Sequence, residues 1–276
     1  RINGICFTGS TQTAQSINQN MAKFLSPSAP LIAETGGLNA MVVDGTALPE
    51  QVVRDVMMSA FQSAGQRCSA LRVLYLQEDI ADKVIRLLKG AMAELSMGDP
   101  SRYETDIGPV IDADAQQKLQ AHIHKMHEEG TLIYETQLSK ALAEEAKEGV
   151  FVAPVAFKIH TLAQLEQEHF GPILHVITYP ADGLPKVIEE INQSAYGLTL
   201  CIHTRNEHTA KEIDRQVQVG NVYINRNQIG ATVGVQPFGG QGLSGTGPKA
   251  GGPGYLFRFS TERTRTTNTS AVGGDT

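Results

Sequence analysis

Long apolar runs and blocks of positive charge are both missing from this 276-residue chain. No apolar run reaches the roughly 18 residues that a membrane-spanning helix needs, and no signal-peptide pattern is present. The 23 Lys and Arg against 29 Asp and Glu give a net charge of −6. A chain that is mildly acidic and has no basic block is not expected to bind nucleic acid as its principal partner.

Cysteine is scarce as well, since Cys6, Cys68 and Cys201 are the whole complement. An odd number of widely separated cysteines does not form a disulfide framework and indicates a reducing compartment. We therefore predict a cytoplasmic location. Cys6 and Cys201 lie in strand-like or apolar surroundings, which predicts that both are packed in the core.

The beginning of the chain lacks an initiator methionine, because the sequence starts at Arg1 and reaches a strand-like segment at Ile5 within a few residues. We expect the chain to be the C-terminal part of a longer protein. Its length suits one large domain or two ordinary ones.

Predicted strands and helices alternate along the chain, which favours an α/β architecture with largely parallel sheets. The first unit has a strand at 4–8, a helix at 11–25 and a strand at 31–34. Between its first two elements lies the turn Gly9-Ser10. The backbone N–H groups and the helix dipole at such a turn suit an anion, but the same residues are also ordinary helix-capping sequence.

The rest of the chain continues this alternation. Strands are predicted at 39–44, 72–77, 150–159, 173–179, 198–204 and 221–225, and helices at 49–64, 79–97, 112–129, 183–192 and 206–217. Between these elements, 138–149 is interpreted as an exposed insertion, and 230–254 is too rich in glycine for regular structure throughout. The segment from Ser260 onward has little to bury and is expected to be extended.

Three histidines lie on the helix predicted at 112–129, namely His122, His124 and His127. His122 and His124 are two positions apart and point to different faces of a helix, and no thiol or acidic partner suggests a metal site. We interpret them as part of a solvated helix face, and predict no metal.

Cys68 has an unusual context for a thiol. A free cysteine is most often an inert core residue, but Cys68 follows Gly65-Gln66-Arg67 instead of standing in an apolar run. The predicted helix at 49–64 ends at Gly65 and delivers Cys68 just beyond it. The neighbouring cation Arg67 is expected to favour the thiolate, which is the nucleophilic form.

Glu34 is the carboxylate that would complement this thiol. It can be read as an ordinary strand-end residue, but Gly36 and Gly37 follow it and let the backbone turn tightly. A thiolate can attack a carbonyl and hold the product as a thioester, and a carboxylate can activate the water that releases it.

These segments together resemble the aldehyde dehydrogenase superfamily. The resemblance implies the fold of that family, with a partial Rossmann-type NAD-binding portion and an α/β catalytic domain built on a parallel sheet. It implies that Cys68 is the nucleophile and Glu34 the base of deacylation. Gly9 and Ser10 would lie against the pyrophosphate of NAD, although many members have a second glycine where this chain has Ala14.

A further cofactor segment is implied at Glu168-His169-Phe170-Gly171-Pro172. By resemblance Glu168 would bind the ribose next to the nicotinamide and Phe170 would pack near the ring, while His169 has no assigned task. Without the resemblance, Glu168 would be read as a helix-end residue before a Gly-Pro turn.

With Thr35 after Glu34, the segment Glu34-Thr35-Gly36-Gly37 resembles the branch of the family that oxidises L-glutamate γ-semialdehyde to L-glutamate. In that branch Ser69, Gly230 and Ala231 would anchor the aldehyde substrate, and Phe238 would pack on its aliphatic part. Without the resemblance, Gly230-Ala231 is a plain turn.

The resemblance extends to partners and to the missing part of the enzyme. It implies a proline dehydrogenase on the same native polypeptide and a homo-oligomer. It also implies that a second oxyanion donor, an Asn, and a Lys that binds the adenosine ribose lie upstream of Arg1. The expected division is a cofactor-binding and substrate-loop part at 1–35 and 228–254, a catalytic domain at 36–227, and an extended tail at 255–276.

Three alternatives remain open from the residues themselves. One is a thiol amidase or hydrolase with a Cys–Glu pair and no cofactor, which would leave the Gly9-Ser10 and Glu168 segments without a task. Another is a catalytically silent fold or an impaired fragment of an enzyme. The third is a dehydrogenase of another semialdehyde such as succinate semialdehyde, for which a basic residue in the loop at 228–234 would be expected, and none is present.

Overall fold

The computed structural model describes residues 2–137 and 149–273. The insertion predicted at 138–149 therefore lies outside the described residues, apart from its last residue. Among the described helices, none is both long enough and apolar enough to cross a membrane.

A seven-stranded sheet forms the core of the described chain, and its neighbouring strands are parallel except for one antiparallel pair at an edge. In spatial order it contains β10 (Asn221–Ile224), β9 (Thr199–His203), β3 (Ala40–Val43), β4 (Val73–Gln77), β7 (Ile173–Tyr179), β6 (Val155–Lys158) and β5 (Thr131–Glu135). Strands β3 and β9 are buried at every position, because helices cover both faces of a parallel sheet. The predicted α/β architecture is confirmed.

A second, two-stranded parallel sheet joins β1 (Ile5–Thr8) to β2 (Leu31–Glu34) through helix α1 (Thr11–Phe24). This is the βαβ unit predicted from the sequence. The remaining helices are α2 (Pro49–Phe61), α3 (Glu78–Ala93), α4 (Ala113–Glu129), α5 (Leu184–Gln193) and α6 (Glu207–Gln216). A short antiparallel pair joins β8 (Tyr196–Gly197) to β11 (Gln241–Gly242), which lies in the glycine-rich stretch.

Several predicted boundaries differ from the structure, since the helix predicted at 79–97 ends at Ala93 and the strand predicted at 150–159 is confined to Val155–Lys158. Helix α2 stops at Phe61 instead of residue 64, because the 3₁₀ turn Gln62–Gly65 contains Ser63 and Ala64 with φ of 57° and 52°, which cannot continue a right-handed helix. Strand β5 was not predicted, since it lies at the sheet edge and is too exposed to show a buried face. The division into domains stays a prediction.

Two features of this turn require glycine at position 65. Its φ of +65° is left-handed, and a Cβ at this position would collide with the carbonyl group of Gly171. Gly90 is the natural comparison, because it lies on the exposed surface of α3 with nothing within 4 Å of an added Cβ.

We predict opposite effects of alanine at these two glycines. Gly65→Ala should lower the free energy of unfolding by more than about 2 kcal/mol, from backbone strain and the collision. Gly90→Ala should raise it by about 0.5–1 kcal/mol, because alanine favours the helix. Urea denaturation of both variants measures this, and a Gly65→Ala chain as stable as the unchanged one would contradict the strain at this turn.

Candidate active site

The loop that carries Cys68 is held at the start of the central sheet by one amide. Asn39, directly before β3, donates from Nδ2 to the carbonyl oxygens of Cys68 at 2.7 Å and Ala70 at 2.9 Å. Its Oδ1 accepts from the backbone N–H of Thr199 at 3.2 Å. Asn39 is buried, and the sequence reasoning missed it because a polar residue before a strand is unremarkable without its partners.

The thiol of Cys68 has a pKa above its ordinary value. Burial is the main cause, and the negative charges of Glu168 and, more weakly, Glu34 add to it, while the N–H groups of Ser69 and of Cys68 itself act in the opposite direction. The expectation that Arg67 favours the thiolate is therefore wrong in its net effect. Arg67 instead donates from Nε to Ser63 Oγ at 3.1 Å, and the two carboxylates and burial dominate.

Glu34 lies at the end of β2 inside a cage of glycine backbone. Its Oε2 accepts a hydrogen bond from the N–H of Gly240 at 2.9 Å, and its Oε1 is buried without a hydrogen-bond partner among the described residues. A Cβ on Gly239 would come within 2.6 Å of Oε1, and one on Gly245 within 2.9 Å of Oε2. The glycine-rich stretch is thus what makes room for this carboxylate.

Burial raises the pKa of Glu34 to about 7, and the Gly240 N–H and the charge of Lys249 limit the rise. A carboxyl group with a pKa near neutrality is suited to general base catalysis at neutral pH. Because Glu34 also raises the pKa of Cys68, the two groups share one electrostatic environment, as the sequence interpretation required.

The predicted pyrophosphate turn is hydrogen-bonded to the backbone of Glu34. The N–H of Gly9 donates to the backbone oxygen of Glu34 at 3.1 Å, as part of the β1–β2 pairing. Ser10 is the N-cap of α1, and its Oγ accepts from the N–H of Thr13 at 3.2 Å. Both residues of the turn are exposed, so the helix N-terminus is open to an anionic group.

Glu168 meets the segment that follows the base. Its carboxylate occupies the space next to Gly36, where a Cβ would overlap Glu168 Oε2, and Gly37 provides it with a backbone hydrogen bond. Phe170 is 44% exposed. An exposed helix N-terminus, a carboxylate for a sugar hydroxyl and an accessible aromatic ring fit the parts of NAD.

The predicted substrate residues are joined to the nucleophile by a residue that the sequence did not single out. Gln228 is fully buried and donates from Nε2 to the carbonyl oxygen of Ser69 at 3.4 Å. Gly230, with a φ of +72°, is exposed, and Ala231 after it is half-buried. Gln228 therefore brings this loop to the residue after Cys68. Phe238 is half-buried and pairs with the backbone of Ala250.

The solvated face predicted for α4 is wrong at His122, which is only 5% exposed. Its ring stacks on that of His169 at 3.4 Å between centroids, and its Nε2 lies 2.9 Å from Nε2 of His175. The reason is that this face of α4 packs against β7 and the segment before it. His124, by contrast, is exposed as predicted.

The other two thiols differ from each other. Cys201 is fully buried in β9, where its Sγ donates to the backbone oxygen of Arg226 at 2.9 Å, as predicted for a core residue. The core prediction for Cys6 is wrong, because the small β1–β2 sheet leaves Cys6 exposed.

Comparison with known proteins gives a consistent result. Residues 1–264 match the Aldehyde dehydrogenase family. The chain is 53% identical over 269 residues to the Bifunctional protein PutA of Escherichia coli (strain K12), across 95% of this chain and 20% of that protein. It is 37% identical over 258 residues to the 1-pyrroline-5-carboxylate dehydrogenase of Geobacillus kaustophilus, across 92% of this chain and 48% of that protein.

Solved structures give the same picture. A Bradyrhizobium japonicum Proline Utilization A (PutA) mutant superimposes with a TM-score of 0.91 at 54% identity, across 98% of this chain and 27% of that one. A 1-pyrroline-5-carboxylate dehydrogenase from Thermus with bound NAD superimposes with a TM-score of 0.85 at 33% identity, across 93% of this chain and 49% of that one. The chain thus spans about a fifth of the curated PutA proteins and about half of the curated dehydrogenases.

The stacked histidines predict a loss of stability in acid. Burial is the main cause that lowers the pKa of His169 from 6.5 to about 4. The unfolded chain therefore takes up this proton more readily than the folded one, and stability falls as the pH drops from 6.5 towards about 4. His169→Gln should make this fall shallower, as measured by urea denaturation at several pH values.

His124→Gln is the matched control for this prediction, since His124 lies exposed on α4. It should leave the pH dependence of stability as it is in the unchanged chain. Equal slopes for the two variants would contradict the assignment of the effect to the buried stack.

Proposed function

Because the chain belongs to the aldehyde dehydrogenase family, we propose that it carries the catalytic machinery for oxidation of L-glutamate γ-semialdehyde to L-glutamate with NAD. The observation that carries the proposal is Glu34. Its carboxylate is partly buried and has a pKa near 7, its backbone oxygen accepts from the N–H of Gly9 in the proposed cofactor turn, and it acts electrostatically on the thiol of Cys68. The relatives named 1-pyrroline-5-carboxylate dehydrogenase support the substrate, whose open form is this semialdehyde.

The first step is attack of Cys68 on the aldehyde. Because the pKa of the Cys68 thiol is raised, a base must take its proton before the sulfur can attack. Glu34 acts electrostatically on this thiol and is the proposed acceptor of that proton. The sulfur then forms a bond to the aldehyde carbon, and the carbonyl oxygen becomes the oxyanion of a thiohemiacetal. The N–H groups of Cys68 and Ser69, which act on the sulfur, provide positive dipoles beside the reacting centre.

NAD, when bound, would accept the hydride from the thiohemiacetal carbon, and loss of this hydride leaves a thioester on Cys68. Gly9 and Ser10 would hold its pyrophosphate at the N-terminus of α1, Glu168 would accept from a ribose hydroxyl, and Phe170 would pack near the nicotinamide. The fit rests on the exposure of the turn and of Phe170 and on the space that Gly36 leaves for Glu168.

The last step is hydrolysis of the thioester. Glu34 takes one proton from a water molecule, the water oxygen bonds to the thioester carbon, and the carbon–sulfur bond breaks. The electron pair of that bond returns to Cys68 as the thiolate, and the carboxylic acid that forms loses its remaining proton to solvent and leaves as a carboxylate. The buried, unpartnered Oε1 of Glu34 provides the lone pairs that such a water needs.

The substrate is held, in this proposal, by Ser69, Gly230 and Ala231 at its amino and carboxylate end and by Phe238 along its methylene groups. Backbone N–H groups in a loop with positive φ suit a carboxylate, and Gly230 has this conformation. The link from Gln228 to Ser69 supports a common site for these residues.

The wider protein is also part of the proposal. The similarity to proteins named bifunctional PutA supports a proline dehydrogenase on the same native polypeptide, in a cytoplasmic homo-oligomer. The cofactor-binding part at 1–35 and 228–254 and the catalytic part at 36–227 remain the proposed division.

We predict that Cys68→Ala, in the native polypeptide that carries this chain, lowers aldehyde-dependent reduction of NAD by at least about a thousandfold. The measurement is the absorbance of the reduced cofactor with L-glutamate γ-semialdehyde as substrate. Cys6→Ser removes an exposed thiol and should keep full activity. Turnover by Cys68→Ala at the rate of the unchanged protein would disprove Cys68 as the nucleophile. Faster turnover of succinate semialdehyde than of L-glutamate γ-semialdehyde would disprove the proposed substrate.

Glu34→Gln should separate the two half-reactions. Hydrolysis needs the base, so one equivalent of reduced cofactor should still form, at a rate reduced by as much as Glu34 also helps to deprotonate Cys68, and steady turnover should then be about a hundredfold slower or more. Because Glu34 has a pKa near 7, steady turnover of the unchanged protein should rise as the pH increases through 7, and the variant should lack this rise. Stopped-flow absorbance detects the burst, and a variant without a burst but with normal NAD binding would rule out this role of Glu34.

A further inference from the structure

Arg72 has an unusual position for a cation, because its side chain is only 2% exposed. Within the described chain its guanidinium makes five hydrogen bonds. Nε and Nη2 donate to Oε1 of Glu168 at 3.2 and 2.9 Å. Nη1 donates to the backbone oxygens of Gly65 at 2.8 Å and Gly171 at 3.1 Å, and Nη2 to that of Arg67 at 3.2 Å.

These partners belong to two different segments. Gly65 and Arg67 are on the loop that leads into Cys68, whereas Glu168 and Gly171 are on the segment proposed to contact the cofactor. One planar group therefore joins the nucleophile loop to the cofactor carboxylate. The backbone N–H of Arg72 also donates to the oxygen of Asn39 at 2.9 Å, so Arg72 is fixed at both ends.

We propose that Arg72 is a positioning residue that sets the placement of Glu168 relative to Cys68, and so aligns the cofactor side of the site with the nucleophile. This inference rests on the proposed function and goes beyond it, since the family resemblance assigned Arg72 no task. Arg72 acts through Glu168 and the loop at 65–67 and is not itself placed against the substrate.

The surroundings of Arg72 support a rigid placement. Nδ1 of His175 lies 3.0 Å from the carbonyl oxygen of Arg72. A carbonyl can only accept, so this nitrogen carries the proton, and Nε2 of His175 is left to accept from His122. His122 in turn stacks on His169, the neighbour of Glu168. The histidines thus close a ring of contacts that begins and ends at the Arg72–Glu168 pair.

A lysine could not replace this arginine. The guanidinium has donors in a fixed planar fork, while an ammonium group is a single point with three donors. A lysine at position 72 can neutralise Glu168 but cannot also reach both carbonyl oxygens of the nucleophile loop. Arg72→Lys therefore separates the charge of Arg72 from its geometry.

The test uses the native polypeptide and measures two quantities that do not depend on turnover. The first is the dissociation constant of NAD, by calorimetry without aldehyde. Arg72→Lys and Arg72→Met should each weaken NAD binding by about 10- to 100-fold, the equivalent of one misplaced charge-assisted hydrogen bond. Arg86→Lys, an exposed arginine of α3, is the control and should bind NAD as the unchanged protein does.

The second quantity is the rate at which iodoacetamide alkylates Cys68 without cofactor, in a Cys6→Ser background. Arg72→Lys should raise this rate severalfold, because the loop at 65–67 loses its anchor and Cys68 becomes more accessible. Arg86→Lys leaves Arg72 and its bonds to the loop carbonyls in place, so its alkylation rate should equal that of the unchanged protein and stay below that of Arg72→Lys.

A double-mutant cycle makes the proposal falsifiable even if one Arg72 variant folds poorly. If Arg72 acts through Glu168, then Glu168→Gln alone should weaken NAD binding by a similar factor, and Arg72→Met with Glu168→Gln should bind no more weakly than the worse single variant. Additive losses, or unchanged NAD affinity in Arg72→Lys or in Glu168→Gln, would overturn the positioning role. Absence of aldehyde-dependent NAD reduction in the unchanged protein would instead overturn the proposed function, and the binding and alkylation results would still decide on Arg72.

Discussion

The buried amide of Asn39 is the interaction on which the site depends. It fixes the backbone on both sides of Ser69 and, through the N–H of Thr199, ties the nucleophile loop to the start of β9. A buried amide with all of these partners satisfied can adopt only one orientation. Asn39 therefore ties the position of the Cys68 loop to the register of the central sheet.

The proposed nucleophile and the proposed base lie at opposite ends of strands in two different sheets. Glu34 and the Gly9-Ser10 turn stand at the carboxyl ends of the small parallel strands, whereas the Cys68 loop leads into the amino end of β4. The site lies between these ends. Burial is the main cause of the raised pKa values of Glu34 and Cys68, and the negative charges of Glu168 and, more weakly, Glu34 add to the rise at Cys68.

Sequence reasoning found the parts of the site whose signals are local. The alternation of elements predicted the parallel sheet, and the glycines around Cys68 and Glu34 drew attention to both residues. It could not find Asn39, Gln228 or Arg72, because the importance of each lies in partners far away in the sequence, such as Gly171 for Arg72. The same limit explains the errors at His122 and Cys6, where burial is decided by which face another element covers.

The cage around Glu34 has a consequence for the order in which the chain becomes competent. Thr35 N–H bonds to the oxygen of Ser244, Ala33 N–H to Thr246 Oγ1, and Glu34 itself pairs with Gly245. These contacts close loops of about two hundred residues, the kind of long-range closure that forms late. Synthesis runs from the N-terminus. A ribosome-bound chain in which residues 244–246 have not yet emerged therefore has Cys68 and Glu34 in place, but Glu34 still lacks the backbone that surrounds its carboxylate.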